Sequence, residues 1–123
     1  MKILLITTEP SGDKLGANLI EGLRDELGSS QVLYLQGIGG PLMKEKGFVS
    51  LFDIESLSVM GFFEVVPKLF MFLRIIRRIG NYAISWKPDV VITIDSPDFC
   101  FRVAKHIKKF SPKTKIVHYV LPS

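Results

Sequence analysis

Short, continuous apolar runs alternate with amphipathic stretches along this chain, and this alternation limits its possible folds most strongly. The clearest run covers residues 88–95, PDVVITID, which combine β-branched and apolar side chains. Such runs are typical of strands buried on both faces of a sheet. Strands that alternate with helices form βαβ units with parallel strands. The pattern therefore predicts an α/β fold, a doubly wound and mainly parallel sheet of Rossmann-like type.

The same pattern predicts five strands and four helices. Strands are expected at Lys2–Thr8, Gln31–Gln36, Phe48–Phe52, Pro88–Asp95 and Lys115–Leu121. Helices are expected at Lys14–Leu27, Leu42–Lys46, Phe62–Trp86 and Asp98–Phe110. Gly28 is placed to end the first helix, whereas Pro67 either starts or kinks the third.

Length and composition indicate one packed domain. The 123 residues are 47% hydrophobic and 23% charged, which favours a core over disorder. The one cysteine, Cys100, excludes a disulfide framework, and with only two histidines a zinc site is not expected. The N-terminal apolar run is too short for a signal peptide, and Arg74 interrupts the longest central one. We therefore expect a soluble domain of a reducing compartment.

Charge is distributed unevenly along the chain. Residues 1–67 carry 5 basic and 9 acidic side chains, a net of −4, whereas residues 68–123 carry 11 and 3, a net of +8. The stretches 68–87 and 102–115 contain no acid at all. Such basic segments attract nucleic acid, an anionic lipid surface or a phosphorylated substrate, and charge alone does not choose among these.

Ligands of parallel sheets bind at the carboxyl ends of the strands, which directs attention to three loops. In the first, Glu9–Asp13, either Ser11 or Asp13 caps the following helix, while Glu9 faces the crevice. This loop lacks the glycine spacing of a P-loop or a dinucleotide fingerprint. The second loop, Gly37–Pro41, either cradles a phosphate or makes a tight turn.

The third loop, Asp95–Asp98, separates two acids by position. Pro97 suits the first helical position, which places Ser96 at the N-cap and Asp98 in the first turn, where a negative charge complements the helix dipole. Asp95 instead ends the most apolar strand, where an acid is costly unless it faces the crevice. A carboxylate there is a candidate general base for a substrate hydroxyl.

The long helix mixes aromatic and basic side chains. One apolar stripe on its helical wheel consists of Val65, Leu69, Phe72, Leu73 and Ile76. Phe63, Phe70, Met71 and Ile75 fall on the other side, among Lys68, Arg74, Arg77 and Arg78. The pattern is typical of a surface that meets acyl chains and anionic headgroups, or of a helix buried by a partner on most sides.

The remaining reactive side chains have simpler interpretations. His118 is expected to be an interior or edge-strand histidine, and His106 a solvated one on a basic helix. Cys100 is expected to pack as a small buried hydrophobic residue.

Six ordered motifs resemble the N-terminal part of lipid-A-disaccharide synthases, glycosyltransferases of Gram-negative bacteria. They are Glu9-x-Ser11-Gly12-Asp13-x-Leu15-Gly16-Ala17, Gly40-Pro41-x-Met43, Leu57-x-Val59-Met60-Gly61-x-x-Glu64-Val65, Lys87-Pro88-Asp89-Val90, Ile94-Asp95-x-Pro97-Asp98-Phe99 and His118-Tyr119-Val120-x-Pro122-Ser123. The set spans nearly the whole chain. Departures occur at Thr8, Pro10, Leu42 and Cys100, where the family usually has Gly, a small hydroxyl residue, Arg and Asn.

The resemblance implies a GT-B arrangement of two Rossmann-like domains with the site between them. Residues 1–123 would form the N-terminal, acceptor-side domain. The C-terminal nucleotide-sugar domain is expected to be absent or to be supplied by a second chain, so that the isolated chain lacks turnover. The family transfers the sugar of UDP-2,3-diacylglucosamine to 2,3-diacylglucosamine 1-phosphate (lipid X), which makes lipid A disaccharide 1-phosphate and releases UDP. It acts as an inverting enzyme without metal or cofactor, in the cytoplasm and peripherally on the anionic inner membrane. No nucleic acid is implied.

Site roles carry over from the family motif by motif. The resemblance implies that Asp95 is the catalytic base. Substrate contacts are implied for Glu9, Ser11, Gly12, Asp13, Gly39, Gly40, Met60 and Asp98. Membrane or acyl contacts are implied for Phe63, Val65, Val66, Leu69, Phe70, Phe72, Leu73, Arg74, Arg77 and Arg78.

Two other function classes fit a domain of this length. One is a flavodoxin-like or receiver-type signalling domain, although a receiver has a lysine after its last strand and none follows Val120–Ser123 here. The other is a non-catalytic module that binds lipid or a partner.

Overall fold

A computed structural model describes residues 1–53 and 65–119. The strands are β1 (Lys2–Ile6), β2 (Tyr34–Gly39), β3 (Val49–Asp53), β4 (Val90–Ile94) and β5 (Ile116–Tyr119). The helices are α1 (Pro10–Leu27), α2 (Pro41–Glu45), α3 (Val65–Trp86) and α4 (Pro97–Phe110), with a 3₁₀ turn at Gly28–Ser30. The predicted helices and strands are confirmed within the described residues, with shifted ends.

The five strands form one parallel sheet in the order β3-β2-β1-β4-β5. This confirms the predicted α/β, doubly wound, Rossmann-like fold. Flavodoxin-like and receiver domains have the order 2-1-3-4-5. The signalling-domain alternative is therefore wrong.

Helices cover both faces of the sheet. On one face, Leu4 and Ile6 of β1 belong to a core that includes side chains of α3 and α4. On the other, Ile3 and Leu5 belong to a core that includes side chains of α1 and α2. These four side chains are at most 1% exposed, as expected for a central strand buried on both sides.

The second strand lies three residues later than predicted, because its glycines belong to the sheet. Gly37, which was assigned to a loop, pairs with Leu5, and a Cβ there would lie 1.9 Å from the Leu5 carbonyl oxygen. Its φ of 142° also favours glycine, and the register with β3 shifts at this point. The predicted loop Gly37–Pro41 therefore shrinks to Gly40.

The structure shows which side of the long helix is buried, a question that the sequence left open. Ile75, Ile76, Ile79 and Ala83 are buried against the sheet and α4. Leu69 and Leu73 are exposed, although they lie on the same apolar stripe of the helical wheel as Ile76. Pro67 is the third residue of α3, where a backbone N–H has no helical partner to lose.

Candidate functional site

The candidate site lies at the carboxyl ends of β1 and β4. These two strands are neighbours at the centre of the sheet. The chain continues from β1 to β2 on one side of β1, whereas β4 lies on the opposite side of β1. That reversal is where open α/β sheets form a ligand crevice. The Thr8 hydroxyl donates a hydrogen bond of 2.7 Å to the Ser96 hydroxyl, which also accepts one of 3.3 Å from the Thr8 amide. The loops after the two strands are thereby joined.

Asp95 directly follows β4 and is half-buried. Its φ is 49° and that of Ser96 is 45°, so two consecutive non-glycine residues are left-handed, a conformation that costs energy. The Asp95 amide donates to the Tyr119 carbonyl at 3.3 Å, and its carboxylate bonds no other described residue. Asp95 is therefore neither sealed in the core nor used as a helix cap in the described structure.

The start of α4 follows the prediction for Ser96 and Pro97. Ser96 is the N-cap residue and Pro97 is the first helical residue. However, the Ser96 hydroxyl makes no cap bond, because it pairs with Thr8. Asp98 lies in the first turn with its side chain 92% exposed, and Arg102 approaches it at 3.7 Å.

The first loop is shorter than predicted, because α1 already begins at Pro10 with Glu9 as its N-cap residue. Ser11 and Asp13 lie inside the helix, so the prediction that one of them caps α1 is wrong. Glu9 is exposed and borders the same cleft as Ser96 and Asp98. Ser11 is exposed outside the described lining of that cleft.

Asp13 caps the next helix instead of its own. Its side chain is 3% exposed, and its carboxylate accepts hydrogen bonds from the amides of Gly40 (3.1 Å), Leu42 (3.0 Å) and Met43 (2.9 Å) at the start of α2. A carboxylate suits the positive end of a helix. The amides that would cradle a phosphate already bind Asp13, which argues against both the cradle at the second loop and substrate contact by Asp13.

Three glycines near this contact pack directly against other protein atoms. A Cβ on Gly40 would lie 2.4 Å from the Asp13 carboxylate, and one on Gly39 would lie 2.7 Å from the Met43 sulfur. A Cβ on Gly12 would lie 1.8 Å from the Thr7 hydroxyl oxygen. Gly12, Gly39 and Gly40 are therefore explained by packing, because a side chain at each position would clash with its neighbour. These contacts do not indicate a bound ligand.

A cleft of about 390 Å³ opens beside the joined loops, between the N-terminal halves of α3 and α4. The polar residues that line it are Thr8, Glu9, Ser96, Asp98 and Arg102. Its other lining residues are Leu69, Phe72, Leu73, Ile76, Pro97 and Phe99. Sequence reasoning did not find Thr8, Ser96, Arg102 or Phe99 as part of a site, because their proximity depends on how the helices pack.

Cys100 lies beneath this end of the sheet and is 1% exposed, which confirms its interpretation as a buried hydrophobic residue. Burial raises the pKa of its thiol from 9.0 to about 12, and the charges of Glu9 and Asp95 contribute to the rise. Both carboxylates are thus close enough to act on one thiol. Glu9 and Asp95 therefore converge on the same end of the sheet.

Comparison with known proteins decides the family. The family model described as Lipid-A-disaccharide synthetase matches residues 3–123. Lipid-A-disaccharide synthases of Rhodopseudomonas palustris (strain HaA2) and Nitrobacter winogradskyi (strain Nb-255) are 47% and 48% identical over 122 residues, 99% of this chain and 30% of each relative. The Ruegeria pomeroyi protein is 44% identical over 123 residues. This chain belongs to the lipid-A-disaccharide synthase family.

The chain spans about 30% of the length of these lipid-A-disaccharide synthases. Two departures from the family pattern have a structural explanation. Thr8 stands where the family usually has glycine, and its hydroxyl makes the bond to Ser96. Cys100 stands where the family usually has asparagine, and it packs in the core with its sulfur 3.8 Å from the Ile6 carbonyl oxygen.

The outward face of α3 carries the side chains that the family resemblance assigns to membrane contact. Leu69, Phe70 and Leu73 are 55%, 67% and 44% exposed, and the exposed side chains of Arg74, Arg77 and Arg78 follow them. Phe72 is half-buried and meets Phe99, with ring centroids 5.8 Å apart. The predicted contacts at Met60 and Phe63 lie outside the described residues, as do the side chains of Val65 and Val66.

The histidines differ from each other in role. His118 lies on the edge strand β5, as predicted, and its Nδ1 is 2.6 Å from the Thr93 hydroxyl. His106 is half-buried between α4 and α3, with Nε2 2.8 Å from the Asn81 amide oxygen in an exposed hydrogen bond, so the imidazole contacts α3 and stays in part solvated. Within residues 1–53 and 65–119, no three His, Cys, Asp or Glu side chains are grouped to hold a metal ion. In the same ranges, no helix has the length and hydrophobicity of a membrane span.

Proposed function

We propose that this chain forms the acceptor-side domain of a lipid-A-disaccharide synthase, a glycosyltransferase of GT-B architecture. The reaction would transfer the sugar of UDP-2,3-diacylglucosamine to 2,3-diacylglucosamine 1-phosphate, giving lipid A disaccharide 1-phosphate and UDP. The family match over residues 3–123 carries this proposal. The crevice at the carboxyl ends of β1 and β4 supports it, since ligands of such sheets bind there.

Asp95 is proposed as the general base. Its carboxylate would accept the proton of the acceptor 6-hydroxyl while that oxygen attacks the anomeric carbon of the donor. The bond from that carbon to UDP would break on the opposite side, which inverts the configuration. Three observations support Asp95: its place at the end of β4, its partial exposure and its left-handed backbone.

Glu9 and Asp98 are proposed to accept hydrogen bonds from sugar hydroxyls, because both are exposed at the cleft. The nucleotide contacts would be made by a domain that corresponds to the part of the relatives outside the matched 30%. The 123 residues by themselves are therefore expected to show no turnover.

The enzyme is proposed to act in the cytoplasm, peripherally on the anionic inner membrane of a Gram-negative cell. The exposed Leu69, Phe70 and Leu73, followed by exposed arginines, support this placement. Apolar side chains next to bases suit the boundary between headgroups and acyl chains.

A chimera tests the proposed reaction. Residues 1–123 replace the aligned 122 residues of the Rhodopseudomonas palustris relative, and disaccharide formation is measured with the two acylated sugars. We expect turnover from this chimera, and a loss of kcat of about 10²- to 10⁴-fold for Asp95→Asn, the range for a missing general base.

Asp25→Asn is the matched control, because Asp25 is an exposed carboxylate on α1. It is expected to keep the full kcat. An inactive but folded chimera contradicts the proposed reaction, whereas an Asp95→Asn chimera with full kcat contradicts only the role of Asp95. Vesicle binding by an inactive chimera would favour the non-catalytic lipid-binding alternative.

A further inference from the structure

The turn that carries Asp95 is hydrogen-bonded to one residue of the neighbouring loop, Thr8. We infer that Thr8 is a positioning residue: its hydrogen bonds to Ser96 keep the Asp95 carboxylate open to the crevice, where the proposed base must meet the acceptor hydroxyl. This inference rests on the proposed function, and it gives Thr8 and Ser96 a role in the reaction beyond joining two loops.

The backbone of this turn is one that side chains avoid. With φ angles of 49° and 45°, Asp95 and Ser96 are both left-handed, and the ψ angle of Ser96 is 56°. A residue at a helix N-cap usually has an extended backbone instead. Left-handed residues other than glycine persist only where the surrounding structure holds them, and they cluster at functional sites. The turn therefore needs an anchor.

The anchor is the Ser96 side chain. A serine at an N-cap normally accepts a hydrogen bond from an amide of its own helix, but the Ser96 hydroxyl makes no such bond. It accepts two bonds from Thr8 instead, at 2.7 Å from the hydroxyl and 3.3 Å from the amide. Ser96 and Thr8 are 6% and 7% exposed, so both bonds lie in a low-dielectric environment that strengthens them.

Backbone hydrogen bonds hold the turn on either side of this anchor. The Asp95 amide donates to the Tyr119 carbonyl at 3.3 Å. The Ser96 carbonyl accepts from the Cys100 amide at 2.9 Å, in the first turn of α4. The torsion angles between these two bonds set the direction of the Asp95 side chain, and the contact with Thr8 restrains them. Without the Thr8 hydroxyl, we expect the turn to relax toward ordinary φ angles.

The same contact relates two acids to each other. Glu9 directly follows Thr8 and borders the cleft, while Asp95 directly precedes Ser96. Each acid is thus one residue away from the bonded pair, one on each loop. A general base acts only within hydrogen-bond reach of the proton that it takes, and a small displacement of it slows the reaction. Thr8 is therefore expected to affect kcat more than substrate binding.

The hydroxyl of Thr8 distinguishes this chain from the usual family pattern. The family usually has glycine at this position, which offers an amide but no hydroxyl. A glycine would keep at most the 3.3 Å bond from its amide and would lose the 2.7 Å bond. The positioning role of the hydroxyl is therefore a feature of this chain that the family pattern does not contain.

The first test measures the Asp95 turn in the 123-residue chain by NMR. Three-bond couplings between amide and α protons, with residual dipolar couplings, give φ for Asp95 and Ser96. We expect left-handed values in the parent protein and in Thr8→Ser, which keeps a hydroxyl. We expect these values to be lost in Thr8→Val, which keeps the branched shape of threonine without the hydroxyl. Unchanged couplings in Thr8→Val would overturn the inference.

Thr114→Val is the matched control. The Thr114 hydroxyl lies 2.7 Å from the Ser111 hydroxyl, the same separation as between Thr8 and Ser96. Thr114 precedes β5 and therefore lies at the amino ends of the parallel strands, the opposite end of the sheet from Asp95. This variant should leave both φ of Asp95 and kcat unchanged.

The second test uses the chimera to ask whether the turn matters to the reaction. Thr8→Val should lower kcat about 3- to 10-fold, the effect of one neutral hydrogen bond, with little change in KM, and Thr8→Ser should keep kcat near the parent value. In the Asp95→Asn chimera, Thr8→Val should have almost no further effect, because the group that Thr8 positions is already lost. An equal loss of kcat with and without Asp95 would reveal a merely structural role and contradict the inference.

The two tests separate this inference from the proposed function. If the chimera is active and Thr8→Val leaves kcat unchanged, the positioning role fails and the proposed reaction stands. If the folded chimera is inactive while Thr8→Val still changes φ of Asp95, the proposed reaction fails, and the hold of Thr8 on the turn stands.

Discussion

Three acidic residues near the carboxyl ends of the strands have different environments. Asp13 is buried and receives three amide hydrogen bonds, Asp98 is almost fully exposed, and Asp95 is half-buried on a left-handed backbone. A buried carboxylate is stable only when it is hydrogen-bonded, which explains why Asp13 holds α2. Asp95 remains the candidate base because its carboxylate has no such partner among the described residues.

The thiol of Cys100 gives a prediction at the residue scale. Because burial raises its pKa to about 12, the fraction ionised at pH 8 is about 10³-fold smaller than in the unfolded chain, where the pKa is 9.0. We expect alkylation by iodoacetamide at pH 8 to be slower in the native protein than in urea by about this factor or more. Equal alkylation rates in the native protein and in urea would contradict the burial of Cys100.

The same pKa shift makes stability depend on pH. Well below pH 9 the thiol is protonated in both the native and the unfolded state, so its contribution to the free energy of unfolding is constant. From pH 9 to pH 12 only the unfolded thiol ionises, and native stability falls. Between pH 8 and pH 10.5, urea unfolding should show a loss about 2 kcal/mol larger than in Cys100→Ala, which shares all other titrations. Equal losses in the two proteins would contradict this prediction.

At the scale of elements, α1 is placed by close contact at its first turn. Gly12 meets Thr7 so closely that a Cβ would lie 1.8 Å from the hydroxyl oxygen, and Thr7 is 0% exposed. Neither group can move without displacing the start of the helix from β1. The glycine here follows from packing, since its φ lies in the ordinary helical range of α1.

We predict that Gly12→Ala lowers the free energy of unfolding by about 2–3 kcal/mol through overpacking. Gly22→Ala in the same helix is the control, because Gly22 is exposed with no atom within 4 Å of its missing Cβ. It should raise stability by about 0.5–1 kcal/mol, since alanine favours helix. Urea unfolding of the two variants measures both effects, and equal changes would contradict the close contact.

For the whole molecule, the fold separates the charges into two layers. The helices on one face, α3 and α4, carry eight bases and one acid, a net of +7, whereas α1 and α2 carry three bases and five acids, a net of −2. The contacts of Gly80 and Asn81 with His106 hold α3 and α4 side by side. The helical parts of the two basic segments therefore lie on one face of the protein.

This face is predicted to bind vesicles that contain anionic lipid, in proportion to their charge and less strongly as salt rises. Arg74→Gln with Arg77→Gln should weaken binding about 30-fold at low salt, since each base near the surface contributes about 1 kcal/mol. Phe70→Ser should weaken binding at high salt as well. Flotation measures both, and Lys14→Gln, an exposed site on α1, should have no effect. If Lys14→Gln weakened vesicle binding as much as the arginine variants do, the prediction that the face of α3 and α4 meets the membrane would be contradicted.

The order and type of the elements could be predicted from the sequence alone, because apolar periodicity is local and parallel strands need continuous apolar runs. Asp95 could be singled out for the same reason, as an acid at the end of such a run. The partners of Asp13, the buried stripe of α3, the bond between Thr8 and Ser96 and the cleft beside them could not be predicted. Each depends on how residues distant in the sequence pack together, and only the tertiary structure determines those contacts.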